Sequence, residues 1–369
     1  MPEQQNLPPR SPVADTLSPF PTRVPWLSVL VFIVIAFGLA WLIDLPLWLS
    51  GKGLATPGAI FLIVLMMYTP GAAALIVAFF VQRPRPRPLP EYLGLWPLRP
   101  AARVVWLTVA GLLGSIAVVI VSVFLSAALG LVPLDLVHFS GFEQTLQAAA
   151  HGVAIPLPVG LLVLISVIQI PLVSPFNAVA TIGEELGWRG WLLPSLRPLG
   201  TWPALVITGV VWGLWHSPII LLGYNFDQPN AFGLVMMVGG CLVLGILVGW
   251  LRLRSGSIWP SVFAHAGFNG AAGFLSLVIA AGAKPDLVLV GALGLVPWIV
   301  MAVIILVLVV TGQFRRQPRL VRRARPVPAW GPPAGPPVGG PPVAGPPVDG
   351  PSGPGPVPGG PVPGGSPTA

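Results

Sequence analysis

Eight stretches of this chain run for twenty or more residues with scarcely a charge among them, and they limit the fold more than any other feature. A helix rises 1.5 Å per residue, so about 20 apolar residues cross a hydrocarbon layer of about 30 Å. Within lipid the backbone must satisfy its own hydrogen bonds, which leaves helices or closed barrels, and runs of this length are helical ones. The sequence predicts an all-α, polytopic transmembrane bundle of about eight spans. They cover Trp26–Leu49, Ala59–Val81, Val104–Leu129, Leu157 to about Ala180, Trp202–Leu222, Ala231–Trp250, Ser257–Ala281 and Leu287–Thr311. Pro70-Gly71 should kink the second span, and Pro171 and Pro175 should interrupt the fourth.

Residues 1–25 are rich in proline and polar residues, with no convincing cleavage site after them, and are read as an uncleaved disordered tail. From residue 313 a basic segment leads into repeats such as Ala-Gly-Pro-Pro-Val, which lack glycine at every third place and so are not collagen. That tail, 313–369, is expected to be extended and disordered. Between the tails, 26–156 forms N-terminal transmembrane helices and 157–312 the functional core.

The formal charge of +8 would raise a nucleic-acid hypothesis in a soluble chain. Here the arginines sit between apolar runs or in the tails, so they bear on topology. All seventeen fall in segments that are cytoplasmic if both termini are, while only Lys52 and Lys284 fall outside. The positive-inside rule then gives an N-in, C-in multi-pass protein with the bilayer and not nucleic acid as its partner, and the Pro-, Gly- and Ala-rich composition suits a bacterial plasma membrane. Arg252 and Arg254 count among those loop charges. Cys241 is the only cysteine, so neither an intrachain disulfide nor a multi-cysteine metal site can form.

Against this background, Gly183-Glu-Glu-Leu-Gly-Trp-Arg-Gly-Trp191 is the anomaly. Ionisable side chains in a membrane are costly and mark functional sites by default. Glu185 and Arg189 stand four apart, where opposite charges meet on one helix face, while Glu184 is turned by about 100° and looks elsewhere. Two further polar clusters follow, Trp212-Gly-Leu-Trp-His216 and His265-Ala-Gly-Phe-Asn269. His265 and Asn269 share a helix face by their spacing. Taken singly, each histidine reads as a hydrogen-bonded packing residue and Asn269 as interhelical glue. Gly209 and Gly213 have the spacing that lets one helix approach another closely.

The three clusters together resemble the CAAX prenyl protease 2 / lysostaphin resistance protein A-like family, also called CPBP or Abi intramembrane proteases. Its pattern is Glu-Glu-x-x-x-Arg, Phe-x-x-x-His and His-x-x-x-Asn or Asp; the chain matches the first and third, and in the second keeps the histidine with Trp212 in place of Phe. The resemblance covers about Leu157–Leu277. It implies a glutamate-type endopeptidase, in which Glu184 and His216 activate water and His265 and Asn269 stabilise the oxyanion. Glu185 and Arg189 then support the site, and Trp212 supplies an aromatic wall. No cofactor is favoured, but a zinc-dependent version held by Glu184, His216 and His265 stays open, two histidines and a carboxylate being a familiar zinc set. The expected substrate is a membrane-associated or prenylated, CAAX-type, protein or peptide. A non-catalytic immunity or scaffold protein binding a peptide in the same cavity is the alternative from another class. A transporter should show related halves, and none is visible, because the acidic pair and both histidines lie in the second half.

Overall fold

A computed structural model describes residues 20–82, 89–151 and 155–315. The two tails beyond these bounds, including the proline-rich repeats, and Arg83, Arg85 and Arg87 lie outside the described residues. These residues belong to one compact unit, Met1–Arg323. Among them the structure is helical, with a single isolated bridge between Leu134 and Ile279 as its only extended pairing.

Among the described residues, seven helical segments are long and apolar enough to cross a membrane, and Thr201–Trp215 is a shorter apolar helix. The chain is a multi-pass integral membrane protein. Its outer surface bears this out: large apolar side chains such as Phe61, Phe80 and Phe176 are at least 75% exposed. Such surface is stable only against lipid or a partner.

The first span is one helix, α1 (Trp26–Leu49), with the bounds expected from the sequence. The second is divided into α2 (Ala59–Met66) and α3 (Thr69–Ile76), with Pro70 in the first turn of α3. Proline is tolerated there because its missing N–H would be unpaired anyway. After the short α4 (Leu89–Tyr92), α5 (Ala101–Ala128) crosses back, and α6 (Ser140–Ala150) follows it.

Next comes α7 (Val159–Glu185), which passes through both Pro171 and Pro175 without a break. The expected interruption is absent, since neighbouring helices allow proline inside membrane helices, and α7 packs on α3, α5 and the later α12. Beyond Glu185 the helix widens into π-type turns over Leu186–Leu192 and ends in α8 (Leu193–Leu196). The acidic pair is therefore inside the helical run, which continues past the expected end near Ala180.

The expected fifth span also has different bounds. Helix α9 (Thr201–Trp215) stops at His216, and the brief α10 (Ser217–Ile220) follows with Pro218 in its first turn. Pro218 has no N–H to continue the helical ladder, and the break falls at His216. Fifteen residues span about 22 Å, short of the hydrocarbon thickness. His216 therefore caps the C-terminal end of a short helix and does not lie within a continuous span.

The remainder is α11 (Ala231–Ser255), α12 (Trp259–Ala271), α13 (Phe274–Val278), α14 (Leu287–Val290) and α15 (Leu295–Val310). Helix α12 is wedged between α5 and α7, and α11 lies along α9. Gly209 and Gly213 make the second contact possible. A Cβ at Gly209 would stand 2.9 Å from Leu242 Cα, and one at Gly213 would collide with the Val238 backbone.

Candidate active site

Close backbone approach places the acidic pair. A Cβ at Gly183 would lie 2.8 Å from Tyr68 Cα, and one at Gly187 would lie 2.6 Å from the Pro70 carbonyl carbon. Glycine on this face lets the break between α2 and α3 nest against α7. Tyr68 then donates to the Val179 carbonyl at 2.6 Å, and Trp215 donates to Thr69 Oγ1 at 3.1 Å. From the other side, Phe32 of α1 stacks on Trp191 and meets Trp188 edge-on. The polar motif is enclosed in aromatic packing.

Glu184 is 2% exposed and Glu185 and Arg189 are wholly buried. Arg189 Nη1 donates to Glu185 Oε1 at 2.9 Å, the i, i+4 pair expected from the sequence. The same Oε1 lies 3.0 Å from His265 Nδ1, which links two motifs eighty residues apart. A carboxylate oxygen only accepts, so Nδ1 of His265 bears the hydrogen and Nε2 is left for the cavity.

Trp212 connects the rest. Its indole Nε1 donates to Glu184 Oε2 at 2.6 Å, its backbone carbonyl accepts from His216 Nδ1 at 2.9 Å, and the Arg189 guanidinium lies 4.2 Å from its ring centroid. The His265 ring meets its edge at 5.2 Å between centroids. His216 is fixed as the tautomer with hydrogen on Nδ1, leaving the Nε2 lone pair free.

Glu184, Trp212, His216, His265 and Asn269 all line one cavity of about 220 Å³. That is ample for water, which needs only about 10–15 Å³ when polar partners are present. The two histidines are buried, whereas Asn269 is exposed and marks the open side. Glu185 and Arg189 do not line the cavity; they stand behind it.

Several lining residues carry no recognisable sequence signal. Ile63, Met66 and Met67 reach the cavity from the first half of the chain, and Tyr224 from the turn after α10. Cys241, read only as part of an apolar span, also lines it, with Sγ 3.9 Å from His216 Nδ1. No local pattern marks Cys241; it reaches the cavity through the packing of α11 along α9.

Arg252 departs from its expected place as a loop charge. It is wholly buried, donating from Nε to the Arg189 carbonyl at 3.0 Å and from Nη2 to the Tyr92 carbonyl at 3.3 Å. Gly94 is what admits it, since a Cβ there would stand 2.6 Å from the guanidinium carbon. The adjoining Tyr92 hydroxyl is 3.0 Å from Ser195 Oγ, which itself donates to the Trp191 carbonyl. Burial pushes the Tyr92 phenol up to about 12, against the lowering effects of the Ser195 contact and the Arg252 charge. Tyr92 is thus a neutral donor, and the loop before α5 is clasped to the motif.

Among the described residues, no three His, Cys, Asp or Glu side chains are grouped as metal ligands would be. Glu184, His216 and His265 line the same cavity.

Residues 156–271 match the family model described as Type II CAAX prenyl endopeptidase Rce1-like. CAAX prenyl protease 2 of Methanococcus maripaludis is 32% identical over 83 residues, 21% of this chain and 30% of that protein. The chain thus aligns with less than a third of that relative's length. The resemblance to the CAAX prenyl protease 2 type of family stands over the stretch that contains all three motifs.

Proposed function

We propose that this protein is an intramembrane endopeptidase that hydrolyses a peptide bond of a membrane-associated protein or peptide with an activated water. The observation that carries this reading is the meeting of Glu184, His216, His265 and Asn269 around one cavity. The family match supports the reaction class, and the relative's name makes a prenylated, CAAX-type substrate the first to try.

The chemistry follows from the free atoms. Glu184 Oε2 is held by the indole, so Oε1 is the oxygen available to a water. Glu184 takes a proton from that water with His216 Nε2 as the second acceptor, while the water oxygen bonds to the peptide carbonyl carbon. The carbonyl oxygen becomes an oxyanion, and donors placed where that charge develops lower the barrier most. Asn269 offers its amide from the open side. For His265 to donate from Nε2 it must hold both protons, and the Glu185 carboxylate at Nδ1 is the counter-charge for that state. Collapse of the intermediate breaks the C–N bond, and the proton held by Glu184 passes to the leaving amine.

In this reading no metal is used, both termini face the cytoplasm, and the site is supported from behind by Glu185 and Arg189. The test is purified protein in detergent against an internally quenched peptide library that includes prenylated peptides. Cleavage by the wild type and its loss in Glu184→Gln and His216→Ala is the expected result. Cleavage that persists in Glu184→Gln removes the base, and activity abolished by a chelator and restored by zinc replaces the metal-free route. Binding of peptide without any cleavage favours the scaffold alternative.

A further inference from the structure

Trp212 stands where the family pattern has phenylalanine, and the two rings differ in one respect that matters here: the indole has a hydrogen-bond donor. That donor is spent on Glu184 Oε2 at 2.6 Å, within a residue pair that is nearly sealed from solvent. A hydrogen bond this short to a carboxylate is charge-assisted and directional. The same side chain is itself clamped, by the Arg189 guanidinium over its face and by His265 at its edge. The acceptor it holds has few other restraints, for no second hydrogen bond reaches either oxygen of Glu184 among the described residues.

We propose that the Trp212 indole N–H is the positioning group for Glu184, fixing which carboxylate oxygen faces the cavity and at what angle. Trp212 also carries the carbonyl that selects the His216 tautomer, so a single residue sets the direction of both groups that take part in proton transfer. The backbone contact survives any side-chain replacement, which separates the two effects experimentally. The proposal rests on the endopeptidase reading above, and adds that the swap from phenylalanine to tryptophan makes the geometry of the base depend on the indole. Freed from this tether, the Glu184 side chain can turn about its χ angles, and displacement of a reacting group by about 1 Å can cost on the order of a hundredfold in rate.

The experiment replaces Trp212 in the full chain in three ways: by phenylalanine, by 3-benzothienylalanine and by 5-fluorotryptophan. Benzothienylalanine keeps the bicyclic shape but has sulfur in place of N–H, while fluorotryptophan keeps the donor. Initial rates on a cleaved peptide give kcat and KM, and thermal melts in the same detergent report packing. The expected result for benzothienylalanine is a fall in kcat of about tenfold to a hundredfold with KM and melting temperature unchanged. Phe should show at least that loss, and fluorotryptophan should restore the wild-type rate. Wild-type kcat with benzothienylalanine overturns the proposal alone. So does a loss in which the melting temperature falls in step, since that is the mark of a packing role. Absence of cleavage by the wild type overturns the endopeptidase reading, and this one with it.

Discussion

Removal of Glu185 should unfold the protein more readily, and removal of Glu185 together with Arg189 should not. Both side chains are fully buried, with Nη1 and Oε1 2.9 Å apart. Arg189 Nε and Nη2 and Glu185 Oε2 already lack hydrogen-bond partners, so the ion pair and the Trp212 ring are what keep the guanidinium tolerable. In Glu185→Ala a buried cation loses its counter-charge, which costs about 3–5 kcal/mol. At about 2–4 °C per kcal/mol for large domains, the melting temperature should fall by about 6–20 °C. Replacing a whole buried pair by apolar side chains of similar size is commonly neutral or stabilising. The double variant Glu185→Leu with Arg189→Met should therefore recover most of the loss. It should still be inactive, because His265 Nδ1 has lost its acceptor. Melts in detergent alongside peptide cleavage check all three points. A single variant that melts like the wild type, or a double variant as unstable as the single, would refute the charge-pair account. Activity in the double variant would refute the role given to Glu185 toward His265.

Other consequences can be measured with the same preparation. Gly213→Ala drives a methyl into the Val238 backbone and should destabilise by about 1–3 kcal/mol through overpacking, seen as a lower melting temperature with α9 and α11 forced apart. Arg252→Met removes donors to the Arg189 and Tyr92 carbonyls, and should cost about 1.5–3 kcal/mol and speed proteolysis near Leu93–Leu95. Asp135 lies in the loop before α6, where hydrogen bonding from Ser140 first, and then from the His138 backbone N–H, holds its carboxyl well below the usual range. A depressed folded-state value means the contribution is full above the unfolded value of about 3.9 and is lost as pH falls below it. The melting difference between wild type and Asp135→Asn should be present at pH 7 and shrink below about pH 4; a difference independent of pH counts against it.

The sequence made some of this architecture legible and hid the rest for identifiable reasons. The bounds of α1 could be read because length and hydropathy alone decide a span. The break near Pro70-Gly71 could be read from proline's missing donor. The end of α9 at His216 could not, since a helix that stops after Trp215 has the same apolar pattern as one that continues to Leu222. The i, i+4 pairing of Glu185 with Arg189 is local, and spacing reveals it. Its extension to His265 depends on how α7 packs on α12, which no local pattern encodes. Trp212 was legible as an aromatic surface, but that its N–H meets Glu184 depends on where the tertiary fold brings α9 relative to the end of α7. Arg252 shows the converse problem, because a charge beside a span reads as interfacial until a glycine in a distant loop makes room to bury it.

In the proposed reaction Glu184 activates a water in the cavity, and no covalent intermediate forms. Its most direct test is a single turnover by the reconstituted protein in ¹⁸O-water, with intact mass measured for both product halves and for the enzyme. The expected result is one heavy oxygen in the new carboxyl terminus, no peptide fragment attached to the enzyme at any time point, and no product from Glu184→Gln. A half-peptide carried on Cys241 or another side chain, or cleavage by Glu184→Gln at the wild-type rate, would contradict it.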